Sequence, residues 1–354
     1  MIKTPPFGTK RVRVRIVDDS LFMRAAIAKT LSAGPFEIVG QAKDGKEALA
    51  QVATLKPDVI TMDFNMPGMN GAEVIRALMQ TQPTPVVMFS AHTKQGAKET
   101  FDALAAGAVE FVTKPAGEVS VDLSKVAEEL MRKVIAASQS RPRAAATVAP
   151  SRPSGSIPVG GITRATLPGG LPRLCVVGIS TGGPAALSEL IPSLPADLRL
   201  ALVIVQHMPA GFTAALAERL DASSRVSVRE ARDGDRPVPG GVLIAPGDKH
   251  LEFDDRGFVA LTDGPMVNGC RPSADVTMIS AAKVYGRRSL AVVMTGMGKD
   301  GAQGALAIKR AEGKTLAQDQ ATSVIYGMPK AAVDLGAIDE VAPLSDIAAW
   351  LRYA

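Results

Sequence analysis

The stretch DVITMDFNMPG, residues 58–68, decides the fold of the first half of the chain. Its apolar run is typical of a buried strand and ends at Asp63. Four further strands are predicted at residues 11–17, 37–42, 85–90 and 111–113. Helical stretches separate them, including one that Ser20 caps and one from Asp44 to about Leu55. This alternation predicts an α/β fold with a doubly wound, five-stranded parallel sheet.

Polar side chains stand at the carboxyl ends of these strands, where open parallel sheets bind their ligands. They are Asp18, Asp19, Asp63, Ser90 and Lys114. Three converging carboxylates repel one another unless a cation neutralises them, and an all-oxygen cluster with few protein ligands suits Mg²⁺. Asp63 could then accept a phosphoryl group as a nucleophile. Lys114 would neutralise the phosphoryl oxygens, and the Ser90 hydroxyl would donate a hydrogen bond to one of them.

These residues lie in motifs that resemble the receiver domains of two-component systems. The motifs are Val17-Asp18-Asp19-Ser20, residues 62–71 (MDFNMPGMNG), Ser90-Ala91 and residues 111–115 (FVTKP). The resemblance implies a flavodoxin-like domain over residues 1–135 that a histidine kinase phosphorylates on Asp63. It also implies Mg²⁺ bound by Asp18, Asp19, Asp63 and the Asn65 carbonyl, and a switch formed by Ser90, Phe111 and Lys114.

Arg15 departs from the family pattern, because receiver domains usually carry an aliphatic residue at this position of the central first strand. The sequence offers one interpretation, in which the apolar stem is buried and the charged end reaches water.

The positive charge of the chain is concentrated in one segment. The net charge is +5, yet seven basic residues and no acidic one lie between Glu129 and Glu189. Without those seven, the rest of the chain would carry −2. Residues 136–171 are rich in Pro, Gly, Ser and Ala, which is typical of a flexible linker that cannot bury enough apolar area to fold. This distribution argues against a nucleic-acid-binding domain.

The second half begins with a buried-type strand at residues 174–179 (LCVVGI), followed by Ser180-Thr181-Gly182-Gly183 and a helix. A dinucleotide-binding fingerprint would need glycine where Ser180 stands, because a pyrophosphate approaches the backbone closely there. The alternative is a G-x-S-x-G turn that presents Ser180 as a nucleophile between strand and helix. By itself this five-residue pattern is weak.

A nucleophilic serine needs a base and a carboxylate that orients the base. The chain has three histidines. His207 follows the apolar strand predicted at residues 198–205, His92 lies in the first half, and His250 is expected to be exposed. Asp300 follows the strand at residues 289–295 in a glycine-rich loop, at the same sheet edge. The chain order Ser, His, Asp disfavours the α/β-hydrolase fold but leaves triad chemistry open.

Four motifs stand out in the second half: residues 178–183 (GISTGG), 206–209 (QHMP), 271–275 (RPSAD) and 295–301 (TGMGKDG). With these motifs the second half resembles a known family, the CheB methylesterases. The resemblance implies a parallel, Rossmann-like α/β domain over residues 172–354 with Ser180, His207 and Asp300 as its triad. It implies a Met297 backbone N–H as oxyanion donor and substrate contacts from Thr181. Arg271 would either pair with receptor carboxylates or form a structural ion pair.

The two resemblances together imply a phosphorylation-regulated enzyme of chemotaxis. Its substrates would be glutamate methyl esters and glutamines of chemoreceptors, and a chemotaxis histidine kinase would supply the phosphoryl group. A non-catalytic scaffold and a DNA-binding response regulator are the alternatives, but the triad is complete and no helix-turn-helix pattern is visible. Two distant cysteines, no signal-peptide pattern and no long apolar run predict a cytoplasmic protein that is not inserted in a membrane. The esterase reaction itself is expected to need no cofactor.

Overall fold

The chain forms two compact units, one within residues 1–147 and one within residues 148–354, as seen in a computed structural model. The structure describes residues 11–91, 93–114, 123, 126–140 and 171–354. Most of the predicted linker and His92 lie outside the described residues.

The first unit is built on one five-stranded parallel sheet. Its strands are β1 (Val12–Val17), β2 (Phe36–Ala42), β3 (Val59–Asp63), β4 (Val86–Ala91) and β5 (Glu110–Lys114), in the order β2-β1-β3-β4-β5. Its helices are α1 (Leu21–Ser32), α2 (Gly45–Leu55), α3 (Gly71–Thr81), α4 (Lys94–Ala106) and α5 (Ala127–Ser138). The order reverses between β1 and β3, so the end of β3 lies at the point where such sheets bind ligands. The predicted doubly wound fold is confirmed.

Short polar side chains begin the helices of this unit at the expected places. Ser20 accepts a hydrogen bond from the Met23 amide, and Asp44 accepts one from the Glu47 amide. Each bond satisfies an amide that the first helical turn leaves without a partner. At the other end of the unit, α5 continues to Ser138, three residues beyond the expected domain end at residue 135.

Arg15 does not reach water, so the interpretation drawn from the sequence is wrong. Its side chain is completely buried between β1 and α2. Nη1 donates to the Ala48 carbonyl at 2.9 Å, and Nη2 donates to the Glu47 carbonyl at 2.8 Å and to Gln51 Oε1 at 3.3 Å. Main-chain carbonyls of α2 take the place of solvent, which is how a buried guanidinium avoids most of its desolvation cost.

The second unit has a seven-stranded parallel sheet and a separate antiparallel hairpin. The sheet contains β6 (Leu174–Ile179), β7 (Ala201–Gln206), β8 (Ser227–Glu230), β9 (Gly241–Ile244), β12 (Ser289–Val293), β13 (Lys314–Gln318) and β14 (Glu340–Ala342), in the order β14-β13-β12-β6-β7-β9-β8. The hairpin pairs β10 (His250–Phe253) with β11 (Val259–Thr262). The helices are α6 (Gly183–Ser193), α7 (Phe212–Ser223), α8 (Ala274–Tyr285), α9 (Ala302–Arg310), α10 (Met328–Asp334) and α11 (Leu344–Tyr353).

The order of this sheet brings the three candidate strands together. β6 lies between β12 and β7, with Ile179 opposite Gln206 and Gly178 opposite Val293. All three strands are parallel, so their carboxyl ends meet at one edge. The predicted parallel α/β fold is therefore confirmed.

Two local expectations for this unit are wrong. The strand predicted from Leu198 begins at Ala201, because Ala201 is the first residue that faces β6, opposite Leu174. His250 is 2 % exposed rather than solvent-accessible. Its Nε2 bonds the Pro265 carbonyl at 2.9 Å, and its Nδ1 accepts from the Ser273 amide at 3.2 Å. It therefore supports the loop before α8.

Candidate active site and phosphoacceptor site

Ser180 lies in the tight turn between β6 and α6. Its amide donates to the Thr295 carbonyl at 3.0 Å, and its carbonyl accepts from the Gly183 amide at 2.7 Å. Gly182 has a φ of +79°, a conformation that favours glycine. The turn thus fixes the serine main chain to both neighbouring segments.

Gly296 allows the loop after β12 to approach the serine. A Cβ at this position would lie 2.8 Å from Ser180 Cβ and 2.3 Å from Met328 Sδ. Such separations are below any normal carbon contact, so only glycine fits the present arrangement. Met297 is the next residue along the loop, and its side chain is exposed.

His207 directly follows β7 and continues the pairing with β6. Its amide donates to the Ile179 carbonyl at 3.2 Å, which brings its main chain beside the residue preceding Ser180. Its ring Nε2 lies 2.8 Å from Asp300 Oδ2. The predicted base and the predicted carboxylate are therefore in direct contact, although 93 positions separate them in the chain.

Asp300 is held as an ionised carboxylate at the start of α8. Oδ1 accepts from Ser273 Oγ at 2.6 Å and from Asn268 Nδ2 at 3.0 Å, and Oδ2 accepts from the Ala274 amide at 2.6 Å. Burial raises the pKa of Asp300, but the contacts with His207, Ser273 and Asn268 outweigh it and lower the pKa to about 2. The orientation of the carboxylate therefore leaves Oδ2 facing the imidazole.

The electrostatics of His207 favour the charged imidazolium. Burial lowers its pKa, whereas hydrogen bonds with Asp300 and Cys270 raise it, and the net result is a pKa of about 9. Cys270 Sγ lies 3.5 Å from Nδ1, on the opposite side of the ring from Asp300. Among the described residues, Ser180 Oγ has no hydrogen-bond partner. The imidazole of His207 therefore lies between the Asp300 carboxylate and the Cys270 thiol.

Three residues that contact His207 or Asp300 were not predicted from the sequence: Asn268, Cys270 and Ser273. Ser273 precedes the first residue of α8 and accepts from the Val276 amide, so the usual helix-start pattern could have marked it. Asn268 and Cys270 lie in the loop between β11 and α8, and no local pattern distinguishes them. Only the folding of this loop against β7 brings them to the histidine.

The two predicted substrate contacts differ in their surroundings. Arg271 Nη1 donates to the carbonyls of Asp263 (3.2 Å) and Gly264 (2.9 Å), so this side chain supports its own loop. Within the described part of the chain it forms no ion pair, so a structural ion pair is not what holds it. Thr181 is buried, and its carbonyl accepts from Thr295 Oγ1 at 2.9 Å.

The first unit gathers its acidic residues at one point of the sheet edge. Ligand oxygens of Asp18, Asp19 and Asp63 all lie within 4.8 Å of one another. Lys114 Nζ is 2.9 Å from Asp63 Oδ1 and 3.4 Å from Asp18 Oδ2. Burial raises the pKa of Asp18 to about 6 and raises that of Asp63 too, despite the neighbouring ammonium. One lysine does not compensate three carboxylates, so the donor set fits a divalent cation.

Two of the three predicted switch residues, Ser90 and Phe111, are buried, whereas Lys114 belongs to the cluster itself. Ser90 Oγ donates to the Gly96 carbonyl at 2.9 Å and accepts from Thr100 Oγ1 at 2.6 Å, so the first turns of α4 hold it. Phe111 is buried, and Lys133 Nζ donates to its carbonyl at 2.6 Å. The Asn65 side chain bonds Glu99 and leaves its main-chain carbonyl as the candidate ligand.

The fold and the two sites define a class of protein, a response regulator whose second unit carries the residue types of a serine hydrolase. The model of the CheB methylesterase family matches residues 175–351, and that of the response regulator receiver domain matches residues 14–123. The chain therefore belongs to the CheB methylesterase family and carries a receiver domain in front of the esterase.

Relatives of similar length support this membership. A protein-glutamate methylesterase/protein-glutamine glutaminase of Symbiobacterium thermophilum is 47 % identical over 344 residues, which cover 95 % of each chain. A protein of the same name from Thermotoga maritima is 43 % identical, covering 94 % of this chain and 95 % of the relative. The crystal structure of the Thermotoga maritima CheB catalytic domain superimposes with a TM-score of 0.50 and 43 % identity, covering 51 % of this chain and 98 % of that domain.

Proposed function

We propose that this chain is a phosphorylation-regulated serine hydrolase of chemotactic adaptation. It removes methyl groups from glutamate methyl esters on chemoreceptors and deamidates specific receptor glutamines. One observation carries the assignment of its site: His207 and Asp300 form a 2.8 Å pair at the sheet edge where the Ser180 turn ends. Ser180 is the nucleophile, His207 the general base and Asp300 the carboxylate that orients the imidazole.

The reaction uses His207 twice. Nε2 is committed to Asp300, so Nδ1 takes the proton of Ser180 Oγ as the oxygen attacks the ester carbonyl carbon. The C–O bond to the methyl group's oxygen then breaks, and His207 returns the proton so that methanol leaves. A water then gives a proton to Nδ1 and attacks the acyl-serine. The bond between the acyl carbon and Oγ breaks, His207 returns the proton to Oγ, and a glutamate carboxylate is released. With glutamine as substrate, ammonia leaves in place of methanol.

The Met297 backbone N–H is the proposed oxyanion donor. Its neighbour Gly296 lies against Ser180 Cβ, so the main chain of this loop runs beside the reacting oxygen. A backbone donor already in place stabilises the developing negative charge without reorganisation during the reaction. Thr181 and Arg271 remain proposals for contacts with the substrate, which is the surface of a receptor helix.

Asp63 is the proposed phosphoacceptor, and a chemotaxis histidine kinase is the donor. Asp18, Asp19, Asp63 and the Asn65 carbonyl would hold Mg²⁺, which when bound supplies positive charge to the phosphoryl oxygens. Lys114 adds charge from the protein side, because its ammonium already lies 2.9 Å from Asp63. Ser90 would exchange its bonds with α4 for one to the phosphoryl group, and Phe111 would move with it.

We infer that a basic linker connects a receiver domain with a catalytic domain (172–354). Because α5 ends at Ser138, this linker begins after residue 138 and not at residue 136. Within the described residues, no helix combines the length and apolar character needed to cross a membrane. We place the protein in the cytoplasm, with receptors and kinase as partners and no nucleic acid.

Methanol release from methylated receptor membranes tests the function directly. We expect release by the full chain, and faster release after addition of a small phosphodonor with Mg²⁺. Ammonia release from unprocessed receptors tests the glutaminase activity in the same preparation. Absence of both products with folded protein would show that the chain has lost the chemistry of its family and acts as a scaffold.

A further inference from the structure

Cys270 occupies the side of the His207 ring that the proposed reaction uses. Asp300 is bonded to Nε2, and Cys270 Sγ lies 3.5 Å from Nδ1. The thiol is held there by its backbone, since Cys270 and Val267 exchange two main-chain hydrogen bonds of 2.9 and 3.1 Å. Asn268 and Gly269 form the tip of this turn with positive φ values of 53° and 75°. The position of the thiol is therefore a property of the loop.

The protonation state of the His207 ring decides how this contact affects the reaction. An ionised Asp300 accepts a hydrogen bond from Nε2–H, and in neutral imidazole the other nitrogen, Nδ1, then carries the lone pair. While the imidazole is charged, Nδ1–H can donate to Cys270 Sγ at 3.5 Å, and the thiol proton can be donated to the Asn268 carbonyl at 3.7 Å. The contact with Sγ therefore favours a proton on Nδ1, which must leave before Nδ1 can accept the Ser180 proton.

We propose that Cys270 is a positioning residue that competes with Ser180 for Nδ1 of His207. The proposal rests on the triad assigned above. In the free enzyme the thiol holds the imidazole between itself and Asp300, and the serine hydroxyl displaces it when substrate is bound. Because sulfur is a weak hydrogen-bond acceptor, this displacement is easier than the displacement of a hydroxyl would be.

Substitution of Cys270 separates this role from a structural one. Asp300 and Cys270 are the ionisable groups in contact with the imidazole, and Asp275 lies behind Asn268. We expect Cys270→Ala to raise kcat several-fold and to move the acid limb of kcat/KM to lower pH, since one contact that raises the pKa of His207 is removed. Cys270→Ser keeps an acceptor for Nδ1–H at this position and should retain the competition, with kcat at or below that of wild type.

Alkylation provides a second readout on the full chain. Iodoacetamide forms a bond between Cys270 Sγ and its methylene carbon as iodide leaves, and the thiol proton passes to His207 or water. Cys270 is half-buried, whereas Cys175 is fully buried and serves as the internal control. We expect labelling of Cys270 before Cys175, slower labelling of Cys270 in His207→Gln, and loss of methanol release in wild type but not in Cys270→Ala.

The outcomes distinguish this proposal from the triad on which it rests. If Ser180→Ala still releases methanol at a normal rate, the triad is wrong. If Ser180→Ala is inactive but Cys270→Ala shows the wild-type pH limb and wild-type kcat, the triad stands and the competition is refuted. A lower kcat in Cys270→Ala with an unshifted limb also refutes it, because that pattern is what loss of a purely structural contact produces. Unfolding midpoints of all variants identify any that fail to fold.

Discussion

At Ser180, the side-chain oxygen is the atom proposed to form a bond to the substrate, whereas His207 and Asp300 act by moving a proton and orienting a ring. Ser180→Ala should therefore reduce methanol release by a factor on the order of 10⁴–10⁶, and Asp300→Ala by less. Ser188→Ala is a matched control on the adjoining helix, because among the described residues its hydroxyl bonds only the Pro184 carbonyl. A Ser180→Ala rate within tenfold of wild type would exclude a covalent mechanism.

The pKa of His207 predicts how activity depends on pH. Burial lowers this pKa, but the bonds with Asp300 and Cys270 raise it from 6.5 to about 9. A general base acts only when deprotonated, so kcat/KM should increase with pH, with a midpoint above 6.5. Initial rates of methanol release, measured from below pH 6.5 to about pH 9, give this midpoint. A midpoint at or below pH 6.5 would contradict the raised pKa of His207.

The raised pKa of His207 also predicts that the folded protein loses stability as the pH increases. A group whose pKa is raised by folding stabilises the protein fully below its unfolded pKa, and the contribution is lost as pH rises through the folded pKa. The melting temperature of wild type should therefore fall between pH 6.5 and about 9 relative to that of His207→Gln. If the melting temperatures of the two proteins change with pH in the same way, the His207–Asp300 pair is not charged in the folded state.

At the scale of elements, the active site depends on how closely the loop after β12 approaches the turn after β6. In Gly296→Ala, the new methyl group would lie 2.3 Å from Met328 Sδ and 2.8 Å from Ser180 Cβ, so the loop or the serine must move. A displacement of about 1 Å in an active site can cost about 10²-fold in rate, and we expect at least this loss. Gly264→Ala is a suitable control, since its methyl group would only make a 3.5 Å contact with His250.

At the scale of the whole molecule, phosphorylation of one unit regulates chemistry in the other. Asp63→Asn removes the proposed phosphoacceptor, whereas the proposed triad lies in the second unit. We expect this variant to bind no acid-labile phosphate from a small phosphodonor with Mg²⁺ and to keep the basal rate of methanol release without stimulation. Asp58→Asn, on the same segment of chain, should respond as wild type does. Stoichiometric labelling of Asp63→Asn would place the phosphoryl group elsewhere.

The sequence by itself determined the features that depend on neighbours along the chain. Apolar runs locate the strands, Ser20 and Asp44 mark helix starts, and the residues at strand ends lie at one edge because parallel strands share their direction. This is why the contact of His207 with Asp300 was predictable. Each of these features follows from hydrogen bonding and hydrophobic burial over a few residues.

Only the tertiary structure decided what each polar side chain meets. Arg15 can be buried because its guanidinium donates to carbonyls of α2. His250 can be buried because its ring bonds the Pro265 carbonyl and the Ser273 amide. Cys270 and Asn268 reach His207 and Asp300 through a loop that no local pattern marks. The physical reason is common to all four: each polar group has partners that are distant in sequence, and these come together only after the chain has folded.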